Sequence, residues 1–131
     1  MNFLIVEDNE NMRRMLRGIV AELASETHEC ADGSGALAAY AEHRPDWVLM
    51  DIKMAGVDGI TATRQITRSF PDARVMVVSD YNDQELRAAA REAGACEYVA
   101  KENLHDLCRI LRARGEGGSQ PNVKRLRGQR G

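Results

Sequence analysis

The chain has 131 residues, 44% hydrophobic and 29% charged, the make-up of one globular domain around one core. Its three scattered cysteines, Cys30, Cys96 and Cys108, form no CxxC pair and accompany no histidine cluster, which excludes a disulfide framework and a structural zinc site and fits reduced thiols in the cytosol. No apolar run approaches the ~18 residues of a membrane span, and the apolar start runs into Glu7-Asp8 without the basic head and long apolar stretch of a secretory signal.

Charge is unevenly spread. From Arg112 to Gly131 six Lys or Arg face one Glu, a charge of +5, which leaves −7 for the rest of a chain whose net charge is −2. The pattern describes an acidic folded body, residues 1–114, and a basic tail, residues 115–131.

Residues 2–6 read as the first strand, ending in Glu7-Asp8. Asn9 is placed to cap a helix over residues 10–24, where Met12, Met15, Leu16, Ile19, Val20 and Leu23 recur at three- and four-residue steps. Residues 27–31 form a weak second strand, an edge by its His28 and Glu29. Asp32-Gly33 turns into, or caps, an alanine-rich helix over residues 35–43 that Pro45 ends. Trp47-Val-Leu-Met is an apolar run stopped abruptly by Asp51, the pattern of a strand buried on both faces of a parallel sheet.

The stretch from Ile52 to Gly59 holds two glycines and Asp58 and reads as a loop needing positive φ. A helix over residues 60–70 carries Ala62, Ile66 and Phe70 inward, and Pro71-Asp72 leads to a strand over residues 75–78 that ends in Ser79. A polar loop precedes a helix over residues 84–93, with Gly94 as its C-cap. A short strand, Glu97-Tyr98-Val99-Ala100, ends in Lys101. Glu102 or Asn103 opens the last helix, residues 104–114, with Leu107, Cys108 and Leu111 inward. Strand and helix alternate five times, which implies right-handed crossovers and a parallel α/β sheet with helices on both faces. The Gly/Ser-rich tail has little to bury and should be flexible. Its Lys124-Arg125-Leu126-Arg127 is a weak case for nucleic acid, an anionic lipid or an acidic partner.

Ligands of such sheets bind at the carboxyl edge of the strands, and that edge receives Glu7, Asp8, Asp51, Ser79 and Lys101. Three carboxylates this close repel, which raises at least one pKa. A divalent cation relieves the repulsion, and hard oxygen donors without His or Cys suit Mg²⁺ or Mn²⁺. A metal-bound carboxylate is also a nucleophile able to form an aspartyl-phosphate, with Lys101 and Ser79 at hand for the phosphoryl oxygens. Singly, each residue has a duller explanation: a turn aspartate, a charged first helical turn, a loop serine, a solvated lysine, a half-buried tyrosine. Their joint arrival at one edge is what points to phosphoryl chemistry.

The order Glu7-Asp8, Asp51, Ser79, Tyr98, Lys101, with the stretches LMDIKMAGVDG, VVSDY and EYVAK, resembles the receiver domain of two-component response regulators from Met1 to about Arg114. The resemblance implies a flavodoxin-like, doubly wound sheet of order 2-1-3-4-5 with five helices. It implies that Asp51 accepts a phosphoryl group from a histidine kinase or a histidine phosphotransfer protein. Asp8 and Asp51 would bind Mg²⁺ directly, Glu7 through water and Lys53 through its main-chain carbonyl. Lys101 would pair with Asp51 and then with the phosphoryl group. Ser79 would move to bond the phosphate and Tyr98 would swing inward. A surface from about Asp83 to Arg114 would then signal to a downstream effector protein in the cytoplasm, a population shift biased by a charged adduct. Such a module turns over its own phosphoryl group without being an enzyme in the usual sense.

The chain departs from that pattern in three places. Ala55 and Glu102 stand where prolines are common, and Asp80 follows Ser79 where a small residue is usual. A charge at Asp80 is expected to slow anionic phosphodonors or hydrolysis. The stretch VAKENLHDL is similar to receivers that precede a LuxR-type DNA-binding domain, yet the basic tail gives no sign of one, so a stand-alone receiver is expected. A haloacid-dehalogenase-type phosphatase would need an acid two positions after the nucleophile, where this chain has Lys53. A flavin site would need a phosphate-cradling loop where Glu7-Asp8-Asn9-Glu10 would repel it. A phosphorylation-independent interaction module on the same fold is the remaining alternative.

Overall fold

The structure, a computed structural model, describes residues 1–54 and 56–115. The expectations for the basic tail beyond Gly115 and for Ala55 lie outside the described residues.

Five strands, β1 Asn2–Val6, β2 Glu26–Cys30, β3 Trp47–Met50, β4 Val75–Ser79 and β5 Glu97–Ala100, alternate with five helices, α1 Glu10–Val20, α2 Ala36–His43, α3 Gly59–Ser69, α4 Gln84–Glu92 and α5 Leu107–Arg114. The sheet runs β2-β1-β3-β4-β5, and each neighbouring pair is parallel. The expected fold class and order hold.

The alternation of side chains along β3 explains why its sequence is apolar throughout. Val48 and Met50 join Leu4, Val6, Val75 and Val77 in a core under α2, α3 and α4. Trp47 and Leu49 join Phe3, Ile5, Met76 and Val78 in a second core under α1 and α5. Strand β2, an edge, has no fully buried residue, as its His28 and Glu29 foretold.

Helix ends follow local chemistry. Asn9 Oδ1 accepts from Met12 N at 2.9 Å, Asp58 Oδ1 from Thr61 N at 2.9 Å, and Asp83 Oδ1 from Glu85 N at 2.7 Å, side-chain caps for donors the first turn leaves open. Gly94 ends α4 at φ +107°, where a Cβ would lie 2.6 Å from Thr67 Oγ1, so both its conformation and its closeness to α3 require glycine.

Four details differ from expectation. Helix α1 stops at Val20 rather than near residue 24, because Ala21 N and Leu23 N bond carbonyls three residues back, Gly18 at 3.4 Å and Val20 at 2.9 Å, and break the four-residue ladder; Leu23 still packs on the core. Met15, placed on the apolar face, is 52% exposed. Neither Glu102 nor Asn103 caps α5: the chain leaves β5 directly into a 3₁₀ segment, Lys101–Asp106, with Asn103 at φ −115°, before the α-helix starts. Of the two glycines after Asp51 only Gly56 has positive φ, +79°.

Candidate functional site

Adjacent strands deliver the acids. Glu7 N donates to the Cys30 carbonyl and Asp51 N to the Val6 carbonyl, each at 3.0 Å, so the sheet ladder continues one residue past β1 and β3 and sets the two carboxyls side by side. Both are buried, Glu7 to 1% and Asp51 to 7% exposure. Asp8 is exposed next to them, and one carboxylate oxygen from each of Glu7, Asp8 and Asp51 lies within 4.8 Å of the others. Lys101 comes from the far end of β5, across β4. Its Nζ lies 3.1 Å from Glu7 Oε1, 3.3 Å from Asp51 Oδ1 and 3.9 Å from Asp80 Oδ2. These residues and Lys53 line a cleft of about 420 Å³.

The β3–α3 loop is held close under Asp51 by a glycine whose role is contact rather than conformation. Gly59 N donates to the Ile52 carbonyl at 2.8 Å, and a Cβ on Gly59 would lie 1.8 Å from the Asp51 carbonyl oxygen. The start of α3 thus seats against the backbone of Asp51.

Burial and crowding set the charges. Burial, with the Asp51 carboxylate beside it, pushes Glu7 up to about 7, and Lys101 only partly counters this. Asp51 is also raised, by burial, against the attraction of Lys101. Burial works against the charge of Lys101, but Asp51 and Glu7 together hold its pKa above the ordinary value. Glu7 Oε2 accepts from Asn9 N at 3.2 Å. Oε1 is buried without an aligned hydrogen bond, its ion pair with Lys101 notwithstanding. Three hard oxygen donors, one with spare accepting capacity and surplus negative charge, fit a small divalent cation.

Ser79 and Tyr98 sit beside the cleft rather than on its wall. Ser79 is buried at the end of β4, and its Oγ accepts from Tyr81 N at 3.1 Å. Tyr98, half-buried on β5, donates from its hydroxyl to the Tyr81 carbonyl at 2.6 Å. One peptide segment therefore joins the two predicted switch residues. The Tyr81 ring carries the Lys53 ammonium 4.7 Å from its centroid. The sequence reading missed Tyr81, which looked like a loop aromatic, and the contact of Asp80 with Lys101. It also missed Arg13, whose Nη1 donates to the Glu7 carbonyl at 2.8 Å, and the place of Met12 and Met15 on the cleft wall. An exposed apolar residue within a helix's inward pattern was the available signal for Met15.

A doubly wound sheet with an acid cluster and a lysine at its carboxyl edge defines a receiver-type α/β domain. Residues 3–112 match the response regulator receiver domain family, and the chain belongs to that family, whose members are signalling modules rather than classical enzymes. It is 37% identical over 111 residues to chemotaxis protein CheY of Bacillus subtilis, covering 84% of this chain and 91% of that protein. It is 39% identical over 98 residues to regulatory protein AtoC of Escherichia coli, covering 75% of this chain but only 21% of the longer protein. Among solved structures it is similar to a CheX-CheY-BeF3-Mg²⁺ complex from Borrelia burgdorferi, with a TM-score of 0.77, 28% identity, and 88% of this chain and 90% of that chain covered. Among the described residues no helix is long and apolar enough to cross a membrane.

Proposed function

We propose that residues 1–114 act as a phosphoacceptor switch in which Asp51 takes a phosphoryl group from a histidine kinase or a histidine phosphotransfer protein. The observation that carries this is the placing of Lys101 Nζ 3.1 Å from Glu7 and 3.3 Å from Asp51, with Asp8 completing an open acid cluster. A carboxylate held at a strand end beside a fixed ammonium is a nucleophile with its charge compensation in place.

An Asp51 Oδ attacks phosphorus, and the P–N bond of the donor phosphohistidine breaks. The imidazole nitrogen leaves with the bonding pair. Lys101 then exchanges its contact with the carboxylate for one with a phosphoryl oxygen. Glu7, Asp8, Asp51 and the Lys53 carbonyl would hold Mg²⁺, or Mn²⁺ in its stead, which when bound supplies positive charge for the phosphoryl oxygens. The B. burgdorferi structure pairs a related CheY with Mg²⁺ and BeF3, which supports this assignment. Water attack on the same phosphorus returns the carboxylate and inorganic phosphate. Ser79 turns its hydroxyl toward the new phosphoryl oxygens, and the loop joining it to Tyr98 carries the change to α4, β5 and α5. A cytoplasmic effector protein reads that surface.

Intact-protein mass after incubation with acetyl phosphate and Mg²⁺ tests the reading. One phosphoryl adduct is expected, lost in Asp51→Asn and in EDTA. A variant lacking the Asp51 carboxylate that still labels at the parent rate overturns the assignment. Mg²⁺ binding without an adduct from either acetyl phosphate or a kinase would favour the phosphorylation-independent module.

A further inference from the structure

One arginine outside the acid cleft touches the Tyr98 ring and the loop that joins it to Ser79. Arg87 lies in the first turn of α4, half-buried. Its Nε donates to Asn82 Oδ1 at 3.0 Å, and its Nη1 reaches the Tyr98 carbonyl at 3.5 Å. Its Cζ stands 4.5 Å from the centroid of the Tyr98 ring. One planar guanidinium therefore touches the β4–α4 loop, the β5 backbone and the face of the tyrosine together, where lysine would keep the cation over the ring but not the fork of donors. No ion pair with an acid ties this side chain down among the described residues.

Helix α4 is anchored on α3 at its C-terminal end, where Thr67 Oγ1 donates to the Ala93 carbonyl at 2.6 Å, and is more lightly packed near Arg87. Ala90 is its one fully buried residue, and Leu86 is only partly buried against the core. Tyr98 packs one side against the core, with its hydroxyl on the Tyr81 carbonyl at 2.6 Å and Arg87 over its ring. Tyr81 N in turn donates to Ser79 Oγ at 3.1 Å.

We infer that Arg87 is the positioning residue of the switch: its guanidinium holds the Tyr98 ring and ties the orientation of Tyr98 to that of α4. The inference rests on the reading of Ser79 and Tyr98 as a switch set by Asp51, and adds the link from that switch to the helix. When Ser79 Oγ turns to a phosphoryl oxygen, Tyr81 N loses its acceptor and the loop from Ser79 to Asn82 shifts. Asn82 Oδ1 is anchored on Arg87, so that shift pulls the same guanidinium that covers the tyrosine. Loop, ring and helix then move as one unit. Without Arg87 the tyrosine keeps its hydroxyl bond and its core packing but loses the contact over its ring face, and α4 loses its side-chain link to Asn82.

Fluorine NMR of the full chain carrying 3-fluorotyrosine, with the Tyr98 signal assigned from Tyr98→Phe, tests this before and after acetyl phosphate and Mg²⁺, and mass spectrometry reports the Asp51 adduct on the same sample. Arg87→Met keeps the aliphatic stem and removes the charge. Its Tyr98 signal in the unphosphorylated protein should shift away from the parent position, and the displacement on phosphorylation should be largely lost although the adduct still forms. Arg87→Lys restores a cation over the ring and should return part of the parent shift. Asn82→Ala, which leaves the helix and ring contacts in place, should leave the resting signal near the parent and reduce the displacement. An unchanged Tyr98 signal in Arg87→Met, or equal shifts in the Met and Lys variants, overturns the clamp. If the parent protein takes no adduct, the phosphoacceptor reading fails, and the resting Tyr98 signals still decide the role of Arg87.

Discussion

Replacing Glu7 by glutamine should stabilise the metal-free domain at alkaline pH, and the effect should vanish in acid. Glu7 is 1% exposed, and its pKa is raised from 4.5 to about 7 by burial and by Asp51. A carboxyl whose folded pKa lies above its unfolded value contributes stability that is fully present below the unfolded value and is lost as pH rises through the folded one. The shift corresponds to a loss of about 3 kcal/mol between about pH 4.5 and 7, a magnitude that already includes the attraction of Lys101. The amide of Glu7→Gln has nothing to ionise, and the substitution also relieves Asp51 of its nearest like charge. Urea unfolding in EDTA at about pH 5 and about pH 8 measures the difference. The parent should lose stability on going to the higher pH. There the variant should unfold roughly 2 M later, for a slope of about 1.5 kcal/mol/M, while at the lower pH the two should nearly coincide. A variant no more stable than the parent at the higher pH would show that Glu7 is ionised at little cost, leaving a cation no repulsion to relieve.

Three further outcomes follow from the same geometry. Lys101→Met removes the cation between two buried carboxyls and should cost about 3–5 kcal/mol at pH 8, with a smaller loss at pH 5 where Glu7 is protonated; equal losses in urea unfolding at both pH values would contradict this. Mg²⁺ must displace the Glu7 proton, so its affinity by calorimetry should fall as pH drops below about 7, approaching tenfold per pH unit; an affinity independent of pH would remove Glu7 from the site. Gly59→Ala places a Cβ 1.8 Å from the Asp51 carbonyl oxygen and should cost about 1–3 kcal/mol. It should also weaken Mg²⁺ binding, whereas unchanged stability and affinity would mean that the loop yields freely.

The acid cleft was legible in the sequence because a parallel sheet turns strand order into place. Each apolar run names its own end, and every end lies on one edge, so Glu7, Asp51 and Lys101 could be brought together although 94 positions separate the first from the last. Asn9 and Gly94 were readable for a related reason: a cap's chemistry is local, and its partner lies only a few residues away.

What stayed hidden depends on contacts between elements that share no periodicity. The apolar spacing of Leu23 reported burial correctly but could not say that the chain reaches that position through a turn, because a hydrophobic contact constrains the side chain and not the backbone path. Gly59 has nothing unusual in its φ, and its need for a bare Cα appears only when the Asp51 carbonyl is set against it. Tyr81 and Arg87 are the extreme case. In sequence they are a loop aromatic and a helical arginine. In space the Tyr81 backbone joins Ser79 to Tyr98 through bonds of 3.1 and 2.6 Å, and Arg87 stacks on that tyrosine. The strand-end rule places the acid cleft, whereas the links from Ser79 to Tyr98 and to α4 run through main-chain atoms and a guanidinium plane that residue type alone does not place. Variation in those connecting residues can therefore rearrange the contacts around Tyr98 while leaving the acid cleft intact.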